Sequence, residues 1–141
     1  MAKSPLCLAA ALCLMPSLLY ADAVGIAAGQ YKAFGMVGSN MATARAQARK
    51  ECKKRNNGVD CAWAVSSANS YLIVVECPVK NGDEFELVRW GSFSKKSVDA
   101  ARKSAKKKLK TRVSGNGFTP KMDECTDVIF YDGNEIHNLR E

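Results

Sequence analysis

The residues best placed to do chemistry in this chain are lysines. Lys103, Lys106, Lys107 and Lys110 follow one another at i, i+3, i+4 and i+7, which puts their ammonium groups on one face of a helix. Lys95, Lys96 and Arg102 add the same sign of charge to the region. Such a ridge neutralises phosphates or meets an acidic cleft. It acts as a set of point charges, since an ammonium lacks the planar fork with which a guanidinium reads a phosphate. The helix itself brings no exposed aromatic side chain for stacking on bases. A solvated helix face accounts for the same spacing.

The remaining reactive residues are sparse. His137 is the single histidine and falls near the C-terminus. A Ser-His-Asp or Cys-His site needs its histidine held beside a nucleophile. Ser39 and Ser92 follow glycines, but neither lies in a Gly-x-Ser-x-Gly elbow, and both read as helix entries. Asp123, Glu124 and Asp127 form an acidic group that can serve as acid and base or take up a divalent ion. A surface loop beside a disulfide is the ordinary explanation. No catalytic residue, cofactor or metal ligand set is therefore expected.

Six cysteines bear on compartment. Lys3, the apolar run Leu6 to Leu19 and the small residues Ala21-Asp22-Ala23 read as a secretory signal peptide over residues 1–23, cut after Ala23 or after Ala21. Its apolar core is short for a membrane span, and no later segment is longer. Cys13 lacks the small preceding residue of a lipoprotein signal. Cys7 and Cys13 leave with the leader, so Cys52, Cys61, Cys77 and Cys125 remain, an even number in an exported domain. Of the three possible pairings we expect Cys52–Cys61, closing a short helix-to-strand loop, and Cys77–Cys125, tying the centre of the domain to its last strand. Zinc is the rival reading, and it lacks the paired Cys-x-x-Cys that such sites use. The net charge of +7 survives cleavage after Ala23, because Lys3 and Asp22 then leave together.

The elements that must hold these residues repeat a plan. Val24 to Ala28 and Lys32 to Val37 read as a hairpin. A helix follows, entered at Gly38-Ser39-Asn40 and closed by Asn56-Asn57-Gly58, with Met41, Ala44, Ala48 and Cys52 on its buried stripe. Cys61 to Val65 is a strand. Tyr71 to Cys77 is apolar on both faces, as a central strand should be. Asn81-Gly82-Asp83 turns the chain into a second strand, after which Gly91-Ser92 echoes Gly38-Ser39. A helix over Ser97 to Arg112 repeats the stripe as Val98, Ala101, Ala105 and Leu109, and Cys125 to Tyr131 is the last strand. The expected class is α+β: an antiparallel sheet with two helices packed on it, built from a duplicated strand-strand-helix-strand unit and clipped by disulfides. The expected domain is 24–132, with halves 24–66 and 71–132, followed by a flexible polar tail over 133–141.

This pattern of small residues and cysteines resembles a family of small exported bacterial domains that often carry the unit twice. Gly38-Ser39, Ala44, Ala48, Cys52 and Cys61 carry the likeness, echoed by Gly91-Ser92, Ala101 and Ala105, across most of residues 24–131. The chain departs from it in being Lys-rich, where the pattern is Gly- and acid-rich, in the second half. The resemblance implies a bacterial envelope protein with disulfides and no particular activity. The expectation is a non-enzymatic periplasmic or secreted binding module, an immunity-type or inhibitor protein whose acidic partner is a toxin or hydrolase. The alternative is an anion-binding envelope protein that meets lipopolysaccharide, acidic polymer or DNA through the Lys-rich helix. A third class is an enzyme built on the carboxylates around Asp123.

Overall fold

The computed structural model describes residues 23–67 and 69–140. The expected leader lies outside the described residues except for Ala23, which opens the first strand, fully buried and paired with Gly38 and Ser67. The first half runs β1 (Ala23–Ala28), β2 (Ala33–Gly38), α1 (Met41–Arg55) and β3 (Ala62–Ser67). The second runs β4 (Tyr71–Asn81), β5 (Glu84–Ser94), α2 (Val98–Gly115), β6 (Thr119–Pro120), a 3-10 turn (Met122–Glu124), β7 (Thr126–Tyr131) and β8 (Ile136–Asn138).

Two antiparallel sheets form, ordered β2-β1-β3 and β5-β4-β7-β8, with β6 beside β4. In each half the first strand is central, its hairpin partner lies on one side, and the strand after the helix lies on the other. The path through space is thus repeated. The class is α+β with helices on antiparallel sheets and disulfides Cys52–Cys61 and Cys77–Cys125, as expected. The single shared sheet expected from the sequence is instead two sheets stacked face to face. The reason is that β1 and β4 are both apolar on both faces. Val24, Ile26 and Ala28 of β1 meet Leu72, Val74, Val128 and Ile129 between the sheets. On the opposite face of β1, Ala27 packs with Ala48 and Cys52 of α1. Ile73, Val75, Cys77 and Val79 turn to Ala101, Ala105, Leu109 and Val113 of α2. The layers run α1, sheet, sheet, α2, so each strand face that the period-2 pattern makes apolar is covered. A bulge between β4 and β7 lets the consecutive Val128 and Ile129 both reach the inter-sheet core.

Both helices start where their caps require. The Asn40 side chain accepts from the Thr43 N–H at 2.9 Å, and Ser97 accepts from the Ala100 N–H at 3.0 Å. Asn57 and Gly58, at φ 56° and 84°, end α1 in the left-handed region. The slim stripe has its expected use on α1: a Cβ on Gly25 of β1 would sit 2.6 Å from the Ala44 carbonyl oxygen, so helix and strand touch backbone to backbone. Met41, expected on that stripe, is 44 % exposed. It lies in the first turn, beyond the end of β2, and faces a shallow recess with Phe93.

Two further expectations change. Gly91-Ser92 does not end a strand; β5 continues to Ser94, and Gly91 stands opposite Val74 as Gly35 stands opposite Ile26. Its structural counterpart is therefore Gly35 rather than Gly38. The tail over 133–141, expected to be flexible, supplies β8, which pairs with β7. Asn138 donates to the Ala33 carbonyl at 3.1 Å, and Arg140 reaches Glu76. A polar composition marked this segment as loose, but its polar groups find partners on β2, on β4 and at the end of β1.

Candidate functional site: the lysine face of α2 and the tryptophan cleft

The buried stripe of α2 fixes where its cations go. Lys103, Lys107 and Lys110 are exposed and Lys106 is half-buried on the helix, while Lys95 and Lys96 are exposed in the turn before it. Among the described residues none of these six makes an ion pair within 4.0 Å. Arg102 does not belong with them. Its guanidinium turns to β7 and holds Asp127, Nε to Oδ1 at 2.9 Å and Nη2 to Oδ2 at 2.7 Å, and it also pairs with Asp99. Its hydrogen bonds to Asp127 hold its proton more firmly than in an ordinary arginine. Helical spacing alone could not separate it from the lysines, since its partner comes from a strand 25 residues away.

The same pairing breaks up the expected acidic group. Asp127 is committed to Arg102, Glu124 pairs with Lys121 at 3.0 Å, and Asp123 is exposed beside a recess of about 550 Å³ that Lys110 and Phe118 also line. The three carboxylates are thus divided among separate neighbours. His137 stacks on Phe130, with ring centroids 4.5 Å apart, and its Nε2 lies 2.7 Å from Asp132 Oδ2. Ligating atoms of Asp132, Glu135 and His137 fall within 4.8 Å of one another. The backbone N–H groups of Glu135 and Asn134, with His137, already engage the Asp132 carboxylate and lower its pKa to about 2. This is a turn held by its own hydrogen bonds.

A second feature was missed in the sequence. Where the edge of β3 crosses β5, a Cβ on Gly91 would lie 2.3 Å from the Trp63 carbonyl oxygen. That close crossing opens a cleft of about 790 Å³ lined by Asp60, Cys61, Trp63, Arg89, Trp90 and Lys108. Its size is that of a small-ligand site. A neighbouring recess of about 520 Å³ shares Trp90 and Lys108 and adds Lys107 and Arg112. Trp63 reaches the cleft from the α1 side of its sheet and Trp90 from the α2 side of the other. The Arg45 guanidinium lies over the Trp63 ring, 3.9 Å from its centroid. Lys108 turns toward β5, its Nζ 3.4 Å from Ser92 Oγ, on the flank opposite Arg102.

Charge in the cleft is arranged by fixed pairs. Asp60 is tied to Lys53 at 3.2 Å and Arg49 at 3.5 Å, and its hydrogen bond and attraction to Lys53 lower its pKa. Arg89, at the floor, is held by Glu76, which is 5 % exposed between the sheets. Arg89 Nε lies 2.8 Å from Glu76 Oε2, at an angle that makes the contact an ion pair rather than a hydrogen bond. Arg140 completes the triad, donating to the two carboxylate oxygens at 2.8 and 2.6 Å and to the Gly29 carbonyl at 3.1 Å. Burial works to raise the Glu76 pKa, but the hydrogen bonds from Arg140 and the charge of Arg89 outweigh it and the carboxylate stays below its usual range. Burial lowers the pKa of Arg89 against the opposing pull of Glu76.

Nothing in the sequence joins Trp63 to Trp90; each stands in a different half and only the stacking of the sheets brings them together. Their being the only two tryptophans was the one available signal. No family model, curated protein or solved structure matches the chain.

Proposed function

We propose that this protein is a non-enzymatic, exported binding module that holds an acidic protein partner against the lysine face of α2. The observation that carries the reading is the set of six lysines around α2 that have no carboxylate partner among the described residues, mounted on a scaffold stapled at two places. Unpaired cations cost little in water and steer an oppositely charged surface into contact. Two disulfides support an oxidising compartment, periplasmic or secreted. No helix among the described residues is long and apolar enough to cross a membrane. Of the two cleavage positions, the cut after Ala21 is the one that keeps Ala23 in β1. The repeated strand-strand-helix-strand path supports the likeness to duplicated exported bacterial domains. An immunity-type or inhibitor role, plugging the cleft of a toxin or hydrolase, is the specific form we favour.

The test is affinity capture from envelope and secreted fractions with the native protein and with a Lys103→Ser, Lys106→Ser, Lys107→Ser, Lys110→Ser variant. The expected result is a partner captured by the first and lost with the second, whose purified activity falls on stoichiometric addition of the native protein. Equal capture by both proteins, or a captured partner whose activity is untouched, overturns the reading.

A further inference from the structure

The cleft between β3 and β5 has a chemistry of its own. Its two tryptophans supply flat apolar surface, and Arg45, Lys107, Lys108 and Arg112 surround them with positive charge. The one carboxylate on its wall, Asp60, is already neutralised by Lys53 and Arg49. Lys108 has only the Ser92 hydroxyl near it and no carboxylate within 4.0 Å among the described residues. A ligand that fits must carry a flat ring and negative charge together.

We propose that this cleft binds single-stranded nucleic acid, with a base lodged against Trp63 and Trp90 and the flanking phosphates at Lys107 and Lys108. Stacking on aromatic rings beside a cationic track is how single strands are held without reading sequence. A stacked guanidinium such as that of Arg45 offers a further planar surface. An acidic sugar chain presents rings and charge too, but its hydroxyls need forked donors and acceptors. Among the side chains on the walls of this cleft the acceptors are Ser104, Thr111 and the committed Asp60, whereas its arginines and lysines only donate. The inference goes beyond the acidic-protein reading and does not rest on it: it uses the β5 flank of α2, and only Lys107 borders both surfaces.

The assay is built into the chain, because Trp63 and Trp90 are its only tryptophans and its tryptophan fluorescence reports this cleft alone. The protein with both disulfides intact is titrated at low salt with a deoxythymidine oligomer of roughly ten nucleotides, within the usual span of such sites. Inorganic polyphosphate and heparin serve as anions without a base. Saturable quenching by the oligomer and little by the other two is expected. Trp63→Leu and Trp90→Leu each leave one reporter and should weaken binding roughly 5- to 150-fold, the range measured for losing one stacked base. Lys108→Ser, at an exposed side chain outside the hydrophobic core, should weaken binding and reduce the slope of log affinity against log salt by about 0.7. It keeps the test decisive if a tryptophan variant fails to fold. No quenching by the oligomer, equal quenching by polyphosphate or heparin, or an unchanged affinity in Lys108→Ser overturns the proposal. The quadruple lysine variant that tests the protein partner also removes Lys107, but Lys108→Ser and the two tryptophan variants leave all four of its lysines in place, so either proposal can fail while the other stands.

Discussion

Replacing Arg140 by Ala should destabilise the whole domain, although the residue lies at the far end of the chain. Its guanidinium spans the Glu76 carboxylate at 2.8 and 2.6 Å and also holds the Gly29 carbonyl at 3.1 Å. Glu76 is almost fully buried, so losing a partner leaves charge in a poor solvent. Breaking a buried pair costs about 3–5 kcal/mol. Two features lower that figure here. Arg89 remains on the carboxylate, and the Arg140 side chain is itself 26 % exposed. The expected loss is about 2–3 kcal/mol, which shifts a urea midpoint by roughly 1–2 M. A cycle combining Arg140→Ala with Glu76→Gln should show a coupling of about 1–3 kcal/mol. The pH dependence has a definite sign. The pKa of Glu76 is lowered in the folded protein from its ordinary 4.5, so the unfolded chain binds the proton more readily. Its contribution is fully present above 4.5 and is lost as pH falls through the lower folded value. In Glu76→Gln that part of the acid dependence should vanish. A loss below about 0.5 kcal/mol in Arg140→Ala, the size of a surface pair, with no coupling to Glu76, would refute the argument and return residues 133–141 to a loose tail.

Three other outcomes are expected. In an NMR titration the Asp132 carboxylate should have its midpoint near 2, so any stability it lends is present above the ordinary 3.8 and lost as pH falls toward 2; a midpoint near 3.8 contradicts the turn geometry. Removing Cys77–Cys125, which closes 48 residues, should cost about 4 kcal/mol, against about 3 for Cys52–Cys61, which closes 9, and denaturant midpoints of the paired Ser variants should keep that order. Gly91→Ala should destabilise by about 1–3 kcal/mol and shift the tryptophan emission, because its Cβ meets the Trp63 backbone rather than a side chain that can move. Gly115→Ala, with nothing within 4 Å, is its control and should be neutral or slightly stabilising.

What could be read in the chain was whatever depends on neighbours along it. The stripe Ala44, Ala48, Cys52 and its repeat Ala101, Ala105, Leu109 are buried as their spacing requires, and the Asn40 and Ser97 caps sit where a first-turn amide needs an acceptor. The disulfide pairing followed from which elements each cysteine flanks. Periodicity says that a face is apolar, but not what will cover it. So the double-sided β1 and β4 announced burial without announcing that each would lie between a helix and the other's sheet. Charge pairing has the same limit. Arg102 looked like one more cation until β7 brought Asp127 to it, and the polar C-terminal segment looked idle until Glu76 gave Arg140 a partner 64 residues away. The cleft belongs wholly to this second kind. Trp63 and Trp90 become neighbours only because Gly91 lets two sheet edges cross at backbone distance, and a contact made by stacking has no period to betray it.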